Sequence, residues 1–389
     1  MKPAIACPVA PEGQGVTFIE LFFDLVFVFS VTQVVGLLHH GLDWVHVGQA
    51  LLVFWLVWWA WTQFTWALNA ADTTHTTVQV GVLVATAVTF FMASAVPDAF
   101  RDKGLWFGGG YVAVRLIGLV LYVWVVGRDA DAKRAVKTFA LASVLGLVAV
   151  LAGAYLGGPW QYGLWGVAIA LDVRAALGSV RVGGWRLALE HFAERHGLFV
   201  IIALGECLIV AAHGLEAGAW TGGRIGTAVL AVGATCALWW TYFPRAKPAL
   251  ERAVEASTGL NQVAILRDVF TLAHFPMLCG VVGFAVAVDQ AMTHYDQPFG
   301  MATRAALIAA VVLFQGGMGL ALWRAAGSAP WMRFLWTALA ASALALVHPL
   351  SPWLAMAITM VGAGLLAGYE QRSECTNQRR SAEMNLGGD

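Results

Sequence analysis

Apolar runs of about twenty residues recur along nearly the whole chain, broken by short polar stretches. Each run is near the ~20 residues that cross about 30 Å of hydrocarbon as a helix. The pattern predicts an all-α, polytopic membrane protein of about twelve transmembrane helices, near residues 17–38, 47–68, 76–97, 105–126, 135–156, 160–178, 195–215, 222–243, 263–288, 300–323, 331–348 and 351–369. The fifth and sixth runs are joined only by LGGP, and the last two by little more than HPLSP. Both pairs are therefore expected to form tight helical hairpins.

Several landmarks occur twice. Trp58-Trp59 in the second span match Trp239-Trp240 in the eighth, Glu20 opens the first span as Glu194 opens the seventh, and GGPWQYG precedes the sixth span much as LSPWLAM opens the twelfth. These pairings predict two parallel six-helix repeats related by an axis along the membrane normal. The expected organisation is a cytoplasmic N-terminal tail (1–16), a first six-helix repeat (17–178), a cytoplasmic amphipathic linker (179–194), a second repeat (195–371) and a disordered cytoplasmic tail (372–389). In the linker Trp185, Ala188, Leu189 and Phe192 share one helical face, as in a helix lying on the membrane surface.

Composition sharpens this picture. The 389 residues are 59% apolar and 12% charged, where soluble proteins carry about 25% charged residues. Residues 1–16 have no continuous apolar core, so the first span is expected to act as the insertion signal rather than a cleaved leader. With the N-terminus inside, eighteen Lys and Arg fall on the cytoplasmic side against four on the other, and Arg115 is left within the fourth span. That asymmetry predicts that both termini are cytoplasmic. Net charge is zero, which gives no support to nucleic acid as a partner. The expected partners are the lipid bilayer and a small solute or lipid substrate, and a homo-oligomer is compatible with the sequence. The five cysteines lack CxxC spacing, and the histidines of the loops do not make a metal signature, so neither metal nor cofactor is expected. No P-loop, GxSxG or HExxH occurs.

Ionisable residues within spans are the candidates for chemistry. Glu20 and Asp24 are one helical turn apart on one face of the first span, with Gln33 further along. Glu206 lies deep in the seventh span, behind Glu194 and Arg195 at its start, and His213 follows on nearly the same face. Arg267 and His274 share a face of the ninth span, and Pro276 interrupts it just beyond. Arg115 needs a carboxylate or a water-filled cavity, and Glu20, Asp24 and Glu206 are the counter-charges considered. Asp24 and Glu206 are the first choice for proton exchange, with Arg115 and Arg267 beside them. The bland alternatives are a solvated, interfacial Glu20 and purely structural ion pairs for the other two acids.

The stretches ELFFDLVFVFSVTQ, ERHGLFVIIALGECLI and AHFPMLCGVVG, with WWAW and WWTYF, resemble the bacterial low-temperature-requirement A (LtrA) family over nearly the whole chain. The resemblance implies an integral protein of the bacterial cytoplasmic (inner) membrane and singles out Glu20, Asp24, Gln33, Glu194, Arg195, Gly205, Glu206 and His274, without assigning a reaction. Cys207 stands where that resemblance leads one to expect a Ser. Two functions fit these readings: a proton- or cation-coupled secondary transporter, and an intramembrane enzyme in which the acids act as acid and base on a lipid or isoprenoid while aromatic rings stabilise a cation.

Overall fold

A computed structural model of the chain describes residues 9–10, 13–39, 41–127, 129–179 and 187–386, with side chains through 178 and from 187 to 373. Among the described residues fifteen α-helices follow one another: α1 (Phe18–His39), α2 (Trp44–Asn69), α3 (Thr76–Ser94), α4 (Gly104–Val125), α5 (Ala130–Leu156), α6 (Gly158–Ser179), α7 (Leu189–Glu216), α8 (Gly222–Thr241), α9 (Lys247–Glu255), α10 (Gly259–Leu266), α11 (His274–Thr293), α12 (Met301–Val311), α13 (Gly317–Ala326), α14 (Trp331–Leu346) and α15 (Pro352–Leu386). Three π-helical turns join neighbours into continuous rods: Tyr242–Ala246 between α8 and α9, Arg267–Leu272 between α10 and α11, and Val312–Gly316 between α12 and α13.

Ten segments among the described residues are long and apolar enough to cross a membrane. Of the twelve expected segments, the sixth and eleventh are helical but fall outside that set. Helix α6 is interrupted by Gln161, Asp172, Arg174 and four glycines, and α14 has only 16 residues. Outward-facing Phe18, Phe22, Leu25, Val120 and Leu145 are exposed. Such rows of bare apolar side chains on long helices are what lipid covers.

Local sequence explains the helix ends. Thr17-x-x-Glu20 is a capping box: Glu20 Oε2 accepts from the Thr17 N–H and hydroxyl, each at 3.0 Å. Asp43 caps α2 by accepting from the amides of Val45 and His46, and those bonds, that of His46 foremost, hold its carboxyl below the ordinary aspartate range. Between α5 and α6 the chain reverses at Gly157, whose φ of 65° suits a residue without Cβ. Pro244 lies in the first π turn, and Pro276 sits in the first turn of α11, directly after the second. A proline removes one intrahelical donor, and the wider turn re-spaces the ladder around the gap.

Contacts group the chain into two units: residues 1–203 with 254–275, and residues 204–253 with 276–389. Two expectations for the connecting segments change. Leu189–Glu194 is not part of a surface helix but forms the first turns of α7, where His191 and Phe192 are buried; residues 180–186 lie outside the description. The tail expected to be disordered continues α15 as far as Leu386, because no Gly or Pro interrupts it before Gly387-Gly388.

In the second unit α11 crosses the α12 rod closely at Gly280, where a Cβ would lie 2.6 Å from the Phe314 amide nitrogen and 2.7 Å from the Ala310 carbonyl oxygen. Both obstacles are backbone, so Gly280→Ala is expected to destabilise the protein by about 1–3 kcal/mol. Gly364→Ala, into open space, is expected to be neutral or slightly stabilising. Thermal unfolding in detergent measures both.

Candidate functional site

In the first unit α1 turns Glu20, Phe23, Asp24 and Phe27 inward while Phe22 and Leu25 face outward. Both acids are 0% exposed. The solvated reading of Glu20 is thereby corrected. Their counter-charge is Arg195 of α7, also 0% exposed. Its Nη2 donates to Asp24 Oδ1 at 2.5 Å and its Nη1 to Glu20 Oε1 at 3.3 Å. One guanidinium thus serves two carboxylates, matched by geometry: acids at i and i+4 on α1 face His191 and Arg195 at i and i+4 on α7.

His191 lies 3.1 Å from Glu20 Oε2 through Nε2. Its tautomer follows from the neighbouring amide. Asn69 Oδ1 accepts from the Ala188 N–H at 2.9 Å and Asn69 Nδ2 donates to the Ala188 carbonyl at 2.8 Å, which fixes the amide orientation. The same Nδ2 points at His191 Nδ1 at 3.3 Å, so Nδ1 accepts and Nε2–H donates to Glu20. Two carboxylates thus face one guanidinium and one imidazole.

Asp24 Oδ1 also accepts from Trp61 Nε1 at 2.8 Å, while among the described residues Asp24 Oδ2 has no hydrogen-bond partner, nor has Arg195 Nε. The Arg195 guanidinium stands 5.5 Å from the Trp61 ring centroid, close enough for a cation–π contribution. Trp61 stacks on Trp58 and meets His196 edge-on at 5.0 Å. His196 donates from Nδ1 to the Phe192 carbonyl at 2.8 Å, so its Nε2 is a lone-pair acceptor, and that atom too has no partner.

The π turn Arg267–Leu272 completes the wall. It presents the Thr271 carbonyl to Trp58 Nε1 at 2.9 Å and the Val269 carbonyl to His274 Nδ1 at 2.9 Å. The rings of His274 and His196 are 5.5 Å apart. Such turns recur at functional sites, and here the turn supplies carbonyls that a regular helix would keep to itself.

The other expected residues go elsewhere. Arg115 does not pair with Glu20, Asp24 or Glu206. It forms a bidentate ion pair with Asp172 of α6 at 3.1 Å for each bond, with Tyr111 and Gln63 completing its donors. Asp172 lies within the sixth expected span and is not among the counter-charges considered for Arg115. Arg267 pairs with its neighbour Asp268 at 2.5 Å rather than with Asp24 or Glu206. Glu194 is exposed and accepts from the Val16 N–H at 3.5 Å. Gln33 is half-buried on α1, and Glu206 is buried in the second unit. Sequence reasoning missed His191, Trp61 as a carboxylate donor, and Asp172; the paired i, i+4 spacings were a signal for the first. Among the described residues no group of three or more His, Cys, Asp or Glu side chains is placed to hold a metal ion.

An all-α, multi-pass membrane protein with ion pairs buried inside its helices is the class this arrangement defines. The chain belongs to the family of the bacterial low temperature requirement A protein (LtrA), whose sequence profile matches residues 15–368. It is 27% identical over 292 residues to an uncharacterized protein of Rhizobium meliloti (strain 1021), covering 72% of this chain and 70% of that one. No solved structure matches it.

Removing Arg195 would leave two carboxylates buried without a cation, a change that typically costs about 3–5 kcal/mol. Arg195→Gln is therefore expected to lower the unfolding midpoint sharply. In an Asp24→Asn background the same substitution should cost about 0.5–3 kcal/mol less, and a double-mutant cycle of thermal unfolding in detergent measures the difference.

Proposed function

We propose that the protein is a proton-coupled secondary transporter of a small solute, and that Asp24 carries the exchanged proton. The charge count at Arg195 supports this reading: Glu20 and Asp24 face a single guanidinium beside the His191 imidazole, all at 0–2% exposure. Leaving a net charge uncompensated in such surroundings is costly, so the cluster is stable with one added proton. Asp24 Oδ2, the carboxylate oxygen without a partner, is the position for it. Release of that proton would strengthen the pull of Asp24 on Arg195 and so bias α1 against α7, the kind of coupling by which protonation selects a conformation. Glu206 is the expected second acid, entering from the other repeat; twelve spans in two parallel six-helix repeats, with both termini cytoplasmic, are the architecture that goes with this reading. In this scheme the aromatic rings around Trp61 exclude water from the proton site.

The test uses membrane vesicles with an imposed pH gradient and a mass-spectrometric inventory of accumulated metabolites. Asp24→Asn and Glu206→Gln are each expected to lower gradient-driven accumulation at least tenfold with the protein still folded. Unchanged accumulation in both variants eliminates proton coupling through these acids. A modified lipid formed by the purified protein, and lost in Asp24→Asn, would establish the intramembrane enzyme instead.

A further inference from the structure

The ionisable side chains around Arg195 are sealed: Glu20, Asp24 and Arg195 are 0% exposed and His191 is 2% exposed. A proton that enters or leaves this cluster must cross the hydrogen bonds at its boundary. Those bonds can be followed outward one at a time, and every residue on them lies within the first unit.

Among the described residues three routes lead out. From Asp24 the bond runs to Trp61 Nε1 at 2.8 Å. An indole N–H donates without accepting, and Trp61 is itself 0% exposed, so this route ends there. From His191 the route runs to Asn69, which is 3% exposed, and on to the backbone of Ala188. A carboxamide and a peptide group keep donor and acceptor on different atoms, so neither hands a proton on by exchanging hydrogens at one atom. From Glu20 the route runs to Thr17, whose amide and hydroxyl both donate to Oε2 at 3.0 Å. Thr17 is only half-buried. Among the described residues it is the one group able to relay a proton that joins the cluster to the surface.

A hydroxyl accepts and donates at the same oxygen and has two lone pairs. Thr73 Oγ1, on a residue that is 0% exposed, lies 3.0 Å from Thr17 Oγ1. Because the Thr17 hydrogen points to Glu20, Thr73 supplies the hydrogen of that second bond and occupies one lone pair, which leaves the other for water. A proton arriving from water forms a new O–H bond at Thr17 Oγ1, the original O–H bond breaks, and Glu20 Oε2 gains that hydrogen. Rotation of the hydroxyl then restores the starting arrangement. Just outside, the exposed carboxylate of Glu194 accepts from the Val16 N–H at 3.5 Å, one residue before Thr17. A surface carboxylate raises the local concentration of cations, protons included. We infer that Thr17 is the proton port of the first unit, the hydroxyl through which the Glu20–Asp24 pair exchanges its proton with water, and that Glu194 gathers protons outside it. This route rests on the proton-exchange reading above and goes beyond it by naming the group that carries the proton and the end of α1 at which it enters.

Infrared spectroscopy after a jump to acid pH, on the full chain in lipid nanodiscs, provides the test and needs no solute. The carboxylic acid C=O band that disappears in Asp24→Asn reports loading of the pair. Thr17→Val keeps the side-chain volume without the hydroxyl, and it is expected to slow the rise of that band by about tenfold or more while leaving its final amplitude. Thr17→Ser returns the hydroxyl and should return the rate, which a packing defect would not do. Glu194→Gln, on the surface, is expected to slow loading by about threefold at low ionic strength. Thr74→Val removes an exposed hydroxyl bonded to Asp72 and should leave the rate unchanged. An unchanged rate in Thr17→Val, or a rate in Thr17→Ser as slow as in Thr17→Val, overturns the port while the Asp24-dependent band keeps the proton-exchange reading. An unchanged rate in Glu194→Gln overturns the role of Glu194. If no band depends on Asp24, the proton-exchange reading fails and the port fails with it.

Discussion

The sharing of Arg195 between Glu20 and Asp24 is the constraint on which the first unit depends. A guanidinium offers its donors in a fixed planar fork, so α1 and α7 have little freedom to slide while both carboxylates remain bonded. Trp61 fastens α2 to the same Asp24 oxygen, and Trp58 fastens α2 to the π turn before α11. Four segments distant in sequence are thus registered by a few polar atoms. In lipid the hydrophobic effect gives little preference for one helix pairing over another, and packing and polar contacts make the selection. The capping box at Thr17 belongs to the same set, because Glu20 terminates the helix and joins the ion pair with one side chain.

Much of this was legible in the sequence, for physical reasons that also mark its limits. Hydrocarbon demands runs of about twenty apolar residues, so helices of the right type stand where the runs stand. An acid inside such a run is costly enough to signal a purpose, and Glu20 and Asp24 are both buried. Their partner was harder to see, because Arg195 begins its span and reads as a loop cation. His191 reads as linker for the same reason. Arg195, Arg267 and Arg333 were all counted with the cytoplasmic charges, yet they are 0%, 8% and 1% exposed and form ion pairs inside the fold. Charge counting assumes that cations near span ends are solvated, and buried arginines violate that assumption. The proposed orientation therefore rests on the remaining basic residues.

Repeat landmarks show the same distinction between residue type and environment. Trp58 and Trp59 are buried in the first unit, whereas Trp239 and Trp240 are 40% and 49% exposed in the second. Glu20 is enclosed and Glu194 is exposed. Matching letters therefore carry different work at the paired positions, and any relation between the halves must come from backbone arrangement rather than from shared side-chain roles. The irregular turns are a better sequence guide. Pro276 marks where one rod departs from regular helix, although not that the departure is a widened turn offering carbonyls to Trp58 and His274.

Charge stoichiometry separates the buried polar clusters by role. Arg115 and Asp172 balance one to one, and Tyr111 and Gln63 occupy the remaining donors, so that cluster is complete at any moment and suits a fixed strut between α4 and α6. Arg333 and Glu370 also pair, with Gln315 and the Thr241 carbonyl on the same guanidinium. Around Arg195 two enclosed carboxylates face one guanidinium and the His191 imidazole, and among the described residues Asp24 Oδ2, Arg195 Nε and His196 Nε2 lack hydrogen-bond partners. A membrane protein that needed these groups only for cohesion could have paired them one to one, as it did at Arg115. An enclosed cluster with more carboxylates than guanidinium groups is the arrangement expected where the smallest cation, a proton, comes and goes.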